Sequence, residues 1–309
     1  MSETIVIGPD GLTADDIALI RKALAQPSPA QDDTGRIDRI RVLEELKAAA
    51  AAEQARESVA FLESQIAERA AAGVSTRRLT VGISDQVALA RRESPYKGDR
   101  FLRLATALAD DMPHALAAMT SGKCSEWRAT LVLRATSCLT ASHRQEVDAL
   151  LGGRLGAMSD RQVAAQANHQ AYKLDPTAFV RRSSQADADR YVSFRPAPDT
   201  MVQMSALLPL REGISIRKAL EDAAASGRAA GDPRGRGQLM ADTLFERVTG
   251  KASPGDVPIE LQLLITDTTL LAGDDEPARI PEHGPVPAPI ARHLRHPRDP
   301  ERWTIPPCP

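Results

Sequence analysis

Residues 191–210 read YVSFRPAPDTMVQMSALLPL, and this stretch decides how the chain is divided. Tyr191, Val192 and Phe194 form a short run rich in β-favouring residues, and the proline-containing residues 196–199 turn the chain. A second apolar run follows over residues 201–208. The pattern therefore predicts a β-hairpin with strands at 191–196 and 201–208, placed after a long region of helical periodicity.

The residues that follow the hairpin extend this small α+β region. Helical patterns cover residues 214–225 and 233–248, and residues 257–265 (VPIELQLLI) alternate apolar and polar side chains. Such alternation is typical of a half-buried strand. We expect this strand to share one three-stranded sheet with the hairpin, so the predicted fold class is α+β, predominantly α-helical.

The region before the hairpin is predicted to be a helical body. Residues 36–61 read RIDRIRVLEELKAAAAAEQARESVAF and begin a long helix over 37–72, because apolar residues recur at steps of three and four. Gly73 is typical of the position just past a helix end. Shorter helices are predicted at 84–93, 99–109, 113–119, 125–134, 142–151, 160–172 and 176–188, with residues 94–98 as a turn.

These patterns divide the chain into four segments: an N-terminal segment and linker (1–35), a helical domain (36–190), a small α+β domain (191–272) and a Pro-rich C-terminal tail (273–309). The net charge of −2 gives no general attraction to nucleic acid, so any such binding needs a local basic patch. Three cysteines without CxxC spacing, no secretory signal and no long apolar run indicate a reduced, cytoplasmic protein without a membrane span.

One local basic patch lies between residues 76 and 104, a segment that contains seven Lys or Arg residues and only three acidic residues. Two short helices joined by a tight turn are compatible with a helix-turn-helix contact to DNA phosphates. The alternative is an ordinary solvated face. The residues predicted to contact nucleic acid are Arg77, Arg78, Arg91, Arg92 and Lys97.

A second candidate is AAGDPRGRGQLMADTLFERV at residues 229–248. Asp232 precedes Pro233 as an N-cap precedes the first helical residue. Arg234 and Arg236 could hold a phosphate near the helix end. The alternative is a helix cap whose polar residues pair with Arg195 or Arg211. We define the predicted structural motif as Arg195, Asp232, Arg234, Gln238 and Asp242.

Catalytic, metal and cofactor sites are not predicted. The carboxylates of residues 274–276 are followed directly by Pro277, which favours a solvated loop over a cation site. His293 and His296 have chelating spacing but no third ligand. The chain contains no GxSxG, P-loop or GxGxxG pattern.

The blocks at 36–61, 191–242 and 273–294, with QVALARRESPYKG at 86–98 and GKCSEWRATLVLRAT at 122–136, resemble the actinobacterial "domain of unknown function 222" family. That domain usually precedes an HNH endonuclease module. The resemblance implies the N-terminal region of an HNH endonuclease-like protein. After Leu294 the sequence RHPRDPERWTIPPCP lacks the HNH pattern, so we expect the nuclease module to be missing through truncation, a frame change or a split gene.

The leading hypothesis is therefore a non-catalytic domain of such a protein, associated with nucleic acid or serving as a scaffold. One alternative is a protein-interaction module that self-associates through the 37–72 helix. Another is an inert remnant of a mobile-element gene. Salt-dependent DNA affinity would favour the first hypothesis, and a concentration-dependent mass would favour the second.

Overall fold

A computed structural model describes residues 11–26, 32–257 and 260–294. The chain divides between Val180 and Arg181 into two compact units, each described separately below. Helices predominate throughout the described residues, as the sequence predicts. None of the helices in these ranges combines the length and the apolar character that a membrane crossing requires.

The first unit is helical. Two 3₁₀ turns, Thr76–Arg78 and Gly152–Ala157, lie between its helices. Its last helix continues past the division at Val180. The helices are α1 (Ala14–Leu24), α2 (Asp33–Ala71), α3 (Ile83–Ala90), α4 (Pro95–Asp110), α5 (Pro113–Thr120), α6 (Glu126–Ala135), α7 (Ala141–Leu151), α8 (Asp160–Leu174) and α9 (Pro176–Ala188).

Several predicted helix ends are confirmed by their hydrogen bonds. The Ser159 hydroxyl accepts from the Gln162 backbone N–H, and the Gln162 side chain accepts from the Ser159 N–H, which makes a capping box at the start of α8. The Asp175 carboxylate accepts from the Ala178 N–H at 2.8 Å and opens α9. Gly73 has a φ of 74°, the left-handed conformation that ends α2.

The core of the first unit is built from small and aliphatic side chains, as the aromatic-poor composition requires. Helices α4, α5 and α6 pack against α2, which contributes Ala52 and Ala55, and α7 and α8 complete the core through contacts with α5 and α6. Leu108, Met119 and Val132 are fully buried in this cluster. Alanines on α2 and α8 let neighbouring helices approach closely, so a compact core forms with few large residues.

The long helix α2 has two different halves. From Ala48 onward it is anchored through Ala48, Ala52 and Ala55, which are buried. Its first half presents Ile37 and Ile40 to solvent, with exposed fractions of 67% and 63%. The apolar stripe predicted for this helix is therefore used only in part by the fold of the first unit.

The second unit combines short strands with helices. The predicted hairpin is confirmed: β1 and β2 pair antiparallel, with Phe194 opposite Met204. A single π-helical turn covers Thr268–Ala272. The elements are β1 (Tyr191–Ala197), β2 (Met201–Leu207), α10 (Leu210–Ala229), α11 (Arg236–Thr249), β3 (Ala278–Ile280), β4 (Gly284–Val286) and α12 (Ala288–Leu294), the last three in the segment assigned above to the tail.

The predicted three-stranded sheet is wrong. The described residues contain two separate two-stranded sheets, β1–β2 and β3–β4. Of the strand predicted at 257–265, residues 258 and 259 lie outside the described part, and Leu264 makes only an isolated antiparallel bridge to Arg279. Alternation of side chains indicates a half-buried extended segment but not its partner. A partner 15 residues away costs less loop-closure entropy than the distant hairpin.

The hairpin β1–β2 leaves an apolar face open. Val192, Phe194, Val202 and Met204 alternate onto this face and are all exposed, Phe194 by 66%. The largest buried cluster of the second unit is small and contains Ala278, Val286 and Ala291. The second unit thus buries far fewer large side chains than the first.

Candidate nucleic-acid interface

The predicted basic region folds as two tightly packed helices, α3 and α4. Ile83 and Val87 of α3 are buried, as are Phe101 and Leu104 of α4. The contact is closest at Gly98, where a Cβ atom would stand 2.2 Å from the backbone oxygen of Ser84. Only glycine fits there, so this residue sets the distance between the helices.

The turn between these helices is shorter than predicted. Residues 94–98 were predicted to form the turn, but α4 already begins at Pro95. Proline suits the first helical position because it has no N–H to leave unpaired. The chain reverses instead at Arg92, whose φ is 57°. Tyr96 and Lys97 consequently lie on the first turn of α4.

Two of the five predicted contact residues are engaged by carboxylates. Arg91 pairs with Glu126 of α6 at 2.9 Å, and its guanidinium stacks over the Phe101 ring at 3.8 Å. Only 17% of the Arg91 side chain is exposed. Through these two contacts Arg91 links the end of α3 to α4 and α6. Lys97 pairs with Glu93 at 2.7 Å. Both positive charges are therefore paired with carboxylates of the chain.

The other three predicted residues remain on the surface. Arg77 and Arg78 are exposed on the 3₁₀ turn, and Arg92 is exposed between α3 and α4. Among the described residues, no carboxylate forms an ion pair with any of them. The same holds for Arg100 and Arg103 of α4, which belong to the basic patch but are not among the five predicted contact residues.

An open groove of about 1040 Å³ lies beside this basic region. α4 forms one side of it and α6 contributes another, while Arg144 of α7 pairs with Asp111 at its margin. The sequence offered no signal for the α6 and α7 residues, because they meet α4 only in the folded chain. The lining of the groove includes Tyr96, Asp99, Arg100, Arg103, Asp110, Leu133, Arg134, Ser137 and Arg144.

The predicted capping role of Asp232 is wrong. Helix α11 begins at Arg236, three residues after the predicted start at Pro233. The Asp232 carboxylate accepts instead from the Arg234 backbone N–H at 2.9 Å, two residues along the chain. Asp-Pro favours such a local turn as much as it favours a cap. The turn delays the helix until Gly235 provides its N-cap position.

The remaining motif residues form an ion-pair cluster around Arg234. Its guanidinium binds Asp232 at 2.6 Å and Asp242 at 2.7 Å. Hydrogen bonding to Arg234 lowers the pKa of Asp232 to about 2. Gln238 accepts from the Gly235 N–H at 2.8 Å. This arrangement commits the Arg234 charge to carboxylates of the chain.

Arg195, the other arginine of the motif, and the neighbouring Arg236 also have partners. Arg195 donates to the side chain of Gln203 across the hairpin at 2.6 Å, and neither Asp232 nor Asp242 pairs with it. Arg236 pairs with Glu221 of α10 at 2.7 Å. The Arg236–Glu221 pair therefore ties α10 to α11, and the described residues of this region do not present a row of unpaired cations.

The acidic segment 274–276 lies in an exposed loop. The backbone carbonyl of Asp274 accepts from Arg292 at 2.9 Å, which holds the loop to α12. His283 lies exposed in the β3–β4 turn. Within the described ranges, no group of three or more His, Cys, Asp or Glu residues is arranged to hold a metal ion. His296, of the HxxH pair, lies outside the described residues.

Comparison with known families places most of the chain in a family of unknown function. A family model described as "Domain of unknown function (DUF222)" matches residues 40–261, which cover most of the chain. No curated protein matches the sequence. No solved structure matches the fold. The matched region includes α3, α4, the groove and the Arg234 cluster.

Proposed function

The chain belongs to the DUF222 family, and from this premise we propose that it is a non-catalytic, nucleic-acid-associated domain of an actinobacterial HNH endonuclease-like protein. The family resemblance supports the HNH association and the actinobacterial source. A cytoplasmic location is part of the same proposal, supported by the cysteine pattern.

The observation that carries this proposal is a local excess of unpaired arginine on the 3₁₀ turn before α3 and on the turn between α3 and α4. Arg77, Arg78 and Arg92 are exposed and form no ion pair with any described carboxylate. Arginines of this kind bind phosphate oxygens and release counterions, which gives affinity without base specificity. The net charge of −2 confines this attraction to the patch.

Of the five predicted residues, we assign the phosphate contacts to these three. Arg91 and Lys97 are held by Glu126 and Glu93, so a phosphate would have to displace a carboxylate before it could bind either. Removing Arg91 would also disturb the packing of α3 on α4 and α6. Its substitution would report on folding as well as on binding.

The test is a fluorescence-anisotropy titration of labelled DNA at several salt concentrations. Each phosphate contact adds about 0.9 to the slope of log affinity against log salt for duplex DNA. The triple variant Arg77→Gln/Arg78→Gln/Arg92→Gln should bind more weakly and lose up to about 3 from this slope. The control Arg21→Gln/Arg154→Gln/Arg161→Gln removes the same charge elsewhere. Equal losses in both variants would sink the assignment.

The non-catalytic part of the proposal has its own test. Purified protein is incubated with supercoiled plasmid and Mg²⁺, Mn²⁺ or Ni²⁺. We expect no nicking, because hydrolysis needs an activated water beside the scissile phosphate. Nicking that co-purifies with the chain and disappears in His283→Ala would contradict it, since His283 is the histidine nearest in sequence to the carboxylates of 274–276.

Self-association is a second candidate function, and the first half of α2 is the observation in its favour. Ile37, Ile40 and Val42 lie exposed on a helix whose other half is anchored in the core. A second copy of this chain would bury them. Sedimentation velocity should then show a mass that rises with concentration in the wild type.

The matched variants for this candidate place two charges on the same helix. Ile37→Glu/Ile40→Glu should keep the protein monomeric at all concentrations. Gln54→Glu/Ala60→Glu adds two acidic residues at exposed positions of the anchored half and should leave the association unchanged. A wild type that stays monomeric would reject this candidate.

A further inference from the structure

We propose that the groove beside α4 binds single-stranded nucleic acid, with Tyr96 stacked on an unpaired base and Arg100 and Arg103 facing its backbone. This inference rests on the proposed nucleic-acid function and names the form of nucleic acid that the site takes. It concerns residues outside the set assigned above to non-specific phosphate contacts.

Tyr96 presents an open aromatic ring at the groove. It is 91% exposed, which is the highest value among the large hydrophobic side chains of the described residues. It lies on the first turn of α4 and forms no hydrogen bond or ring contact within the described part of the chain. The fold therefore leaves both faces of the ring open. An open aromatic face beside unpaired arginines is the usual platform for an unpaired base.

Two arginines of α4, Arg100 and Arg103, lie on the same helix face as Tyr96. Tyr96, Arg100 and Arg103 are spaced by four and three residues, so they follow one face of the helix over about 10 Å. Arg100 lies 5.4 Å from the Phe101 ring centroid, and the Arg103 Nε atom donates to the Asp99 backbone oxygen at 3.2 Å. Neither forms an ion pair with a described carboxylate. Both positive charges remain available to a phosphate.

The groove itself sets the orientation of the ligand. Its volume of about 1040 Å³ is large enough for more than one nucleotide. Asp99 and Asp110 line it, whereas Asp111 is paired with Arg144. Carboxylates repel phosphate but accept hydrogen bonds from base amino groups. Bases therefore enter the groove, and the phosphates stay with the arginines of α4.

This orientation selects against a duplex. In double-stranded DNA the bases are stacked and paired, so they cannot enter a groove without the cost of being flipped out. A single strand presents its bases at little cost. The exposed tyrosine, the unpaired arginines and the acidic lining are together consistent with a single strand and not with a duplex lying across the surface.

The experiment compares three labelled oligonucleotides of about 12 nucleotides by anisotropy with the full chain: single-stranded DNA, single-stranded RNA of the same sequence, and the DNA duplex. We expect either or both single strands to bind more tightly than the duplex. Tighter binding of RNA than of DNA would add a contact to the 2′-hydroxyl. A duplex bound as tightly as both single strands would overturn the inference without any variant.

The variants separate stacking from charge. Tyr96→Ala should weaken single-strand binding roughly 5- to 150-fold and leave the salt slope unchanged. Tyr96→Phe keeps the ring and should bind like the wild type. Tyr191→Ala, at another exposed tyrosine, is the control. Single-strand binding that Tyr96→Ala does not weaken would overturn the inference.

Failure of this inference is distinguishable from failure of the proposed function. Duplex binding that depends on Arg77, Arg78 and Arg92 but not on Tyr96 would reject the single-strand site and retain the function. No binding to any of the three oligonucleotides would reject both.

Discussion

Asp148 is a buried carboxylate of α7 whose two oxygens accept from the His114 and Ala115 backbone N–H groups at 2.7 and 2.9 Å. It satisfies the free donors at the start of α5 from a distant point in the chain. Burial raises the pKa of Asp148, and the two hydrogen bonds oppose this only in part. Asp232, in contrast, has a solvent-accessible Arg234 beside it and a lowered pKa.

Asp148→Ala should destabilise the chain by about 1–3 kcal/mol, because two backbone donors at the start of α5, that of Ala115 being buried, lose their acceptor. A denaturant melt at neutral pH measures this. Asp85→Ala, an exposed aspartate on α3, is the control and should change little. If Asp148→Ala left the free energy of unfolding unchanged, water would have to satisfy these two donors instead.

The pH dependence of Asp148 follows from its raised pKa. The protonated carboxyl is favoured in the folded state, so its contribution to stability is largest below the ordinary value of 3.8. That contribution falls as the pH rises from 3.8 through the folded pKa. Asp148→Asn removes the titration, and its melts should show a flatter pH profile over this window.

Asp232 should titrate in the opposite sense, with a folded pKa of about 2 against an ordinary value of 3.8. Its stabilising contribution is complete above 3.8 and is lost as the pH falls through 2. A carboxyl-detected NMR titration measures the pKa directly. Arg234→Gln should return it towards 3.8, while Arg211→Gln should not. An unshifted wild-type value would contradict the ion-pair geometry.

At the scale of elements, the first residue of a helix depended on whether the preceding polar residue formed a helix cap or a local turn. Ser159 and Gln162 formed a capping box at the predicted start of α8, because both groups of the box are local in sequence. Asp232 formed a turn with Arg234 instead of a cap, and α11 started later. Pro95 opened α4 inside a segment predicted to be a turn. Proline marks both turns and first helical residues, so sequence patterns alone leave this choice open.

The β1–β2 hairpin carries a strained turn residue. Asp199 and Thr200 have φ values of 60° and 58°, and the Met201 N–H donates to the Pro198 oxygen at 3.3 Å, which closes a turn with two left-handed residues. A β-branched residue is unfavourable in that conformation.

Thr200→Gly should therefore stabilise the hairpin by about 1 kcal/mol. Slower amide exchange across β1 and β2 would report the gain. Ser193→Gly lies within β1 at an ordinary backbone position and should weaken the hairpin instead. Faster exchange in Thr200→Gly would mean that the threonine is not strained.

At the scale of the whole molecule, the two units differ in how much they bury. The first unit encloses Leu108, Met112, Met119 and Leu151 completely. The second buries mainly small residues, and its hairpin is exposed on both faces. A two-stranded hairpin without a covering layer is marginally stable in water.

Hydrogen exchange should follow this difference. Peptides covering residues 104–119 and 126–151 should exchange only through global opening, whereas those covering 191–207 should exchange much faster through local opening. Mass spectrometry over a time course measures both in one sample. Equal protection of the hairpin would show that another surface covers it.

The sequence by itself determined the predominance of helix, the positions of most helices, the hairpin, and the basic segment between residues 76 and 104, because periodicity, capping and charge are local properties. It also carried the family resemblance, through its residue blocks. The tertiary structure alone decided that Leu264 bridges to Arg279, that Glu126 engages Arg91, and that α6 and α7 complete a groove beside Tyr96. These depend on contacts between residues 15 to about 50 positions apart, and no local pattern encodes which of several compatible partners packs best.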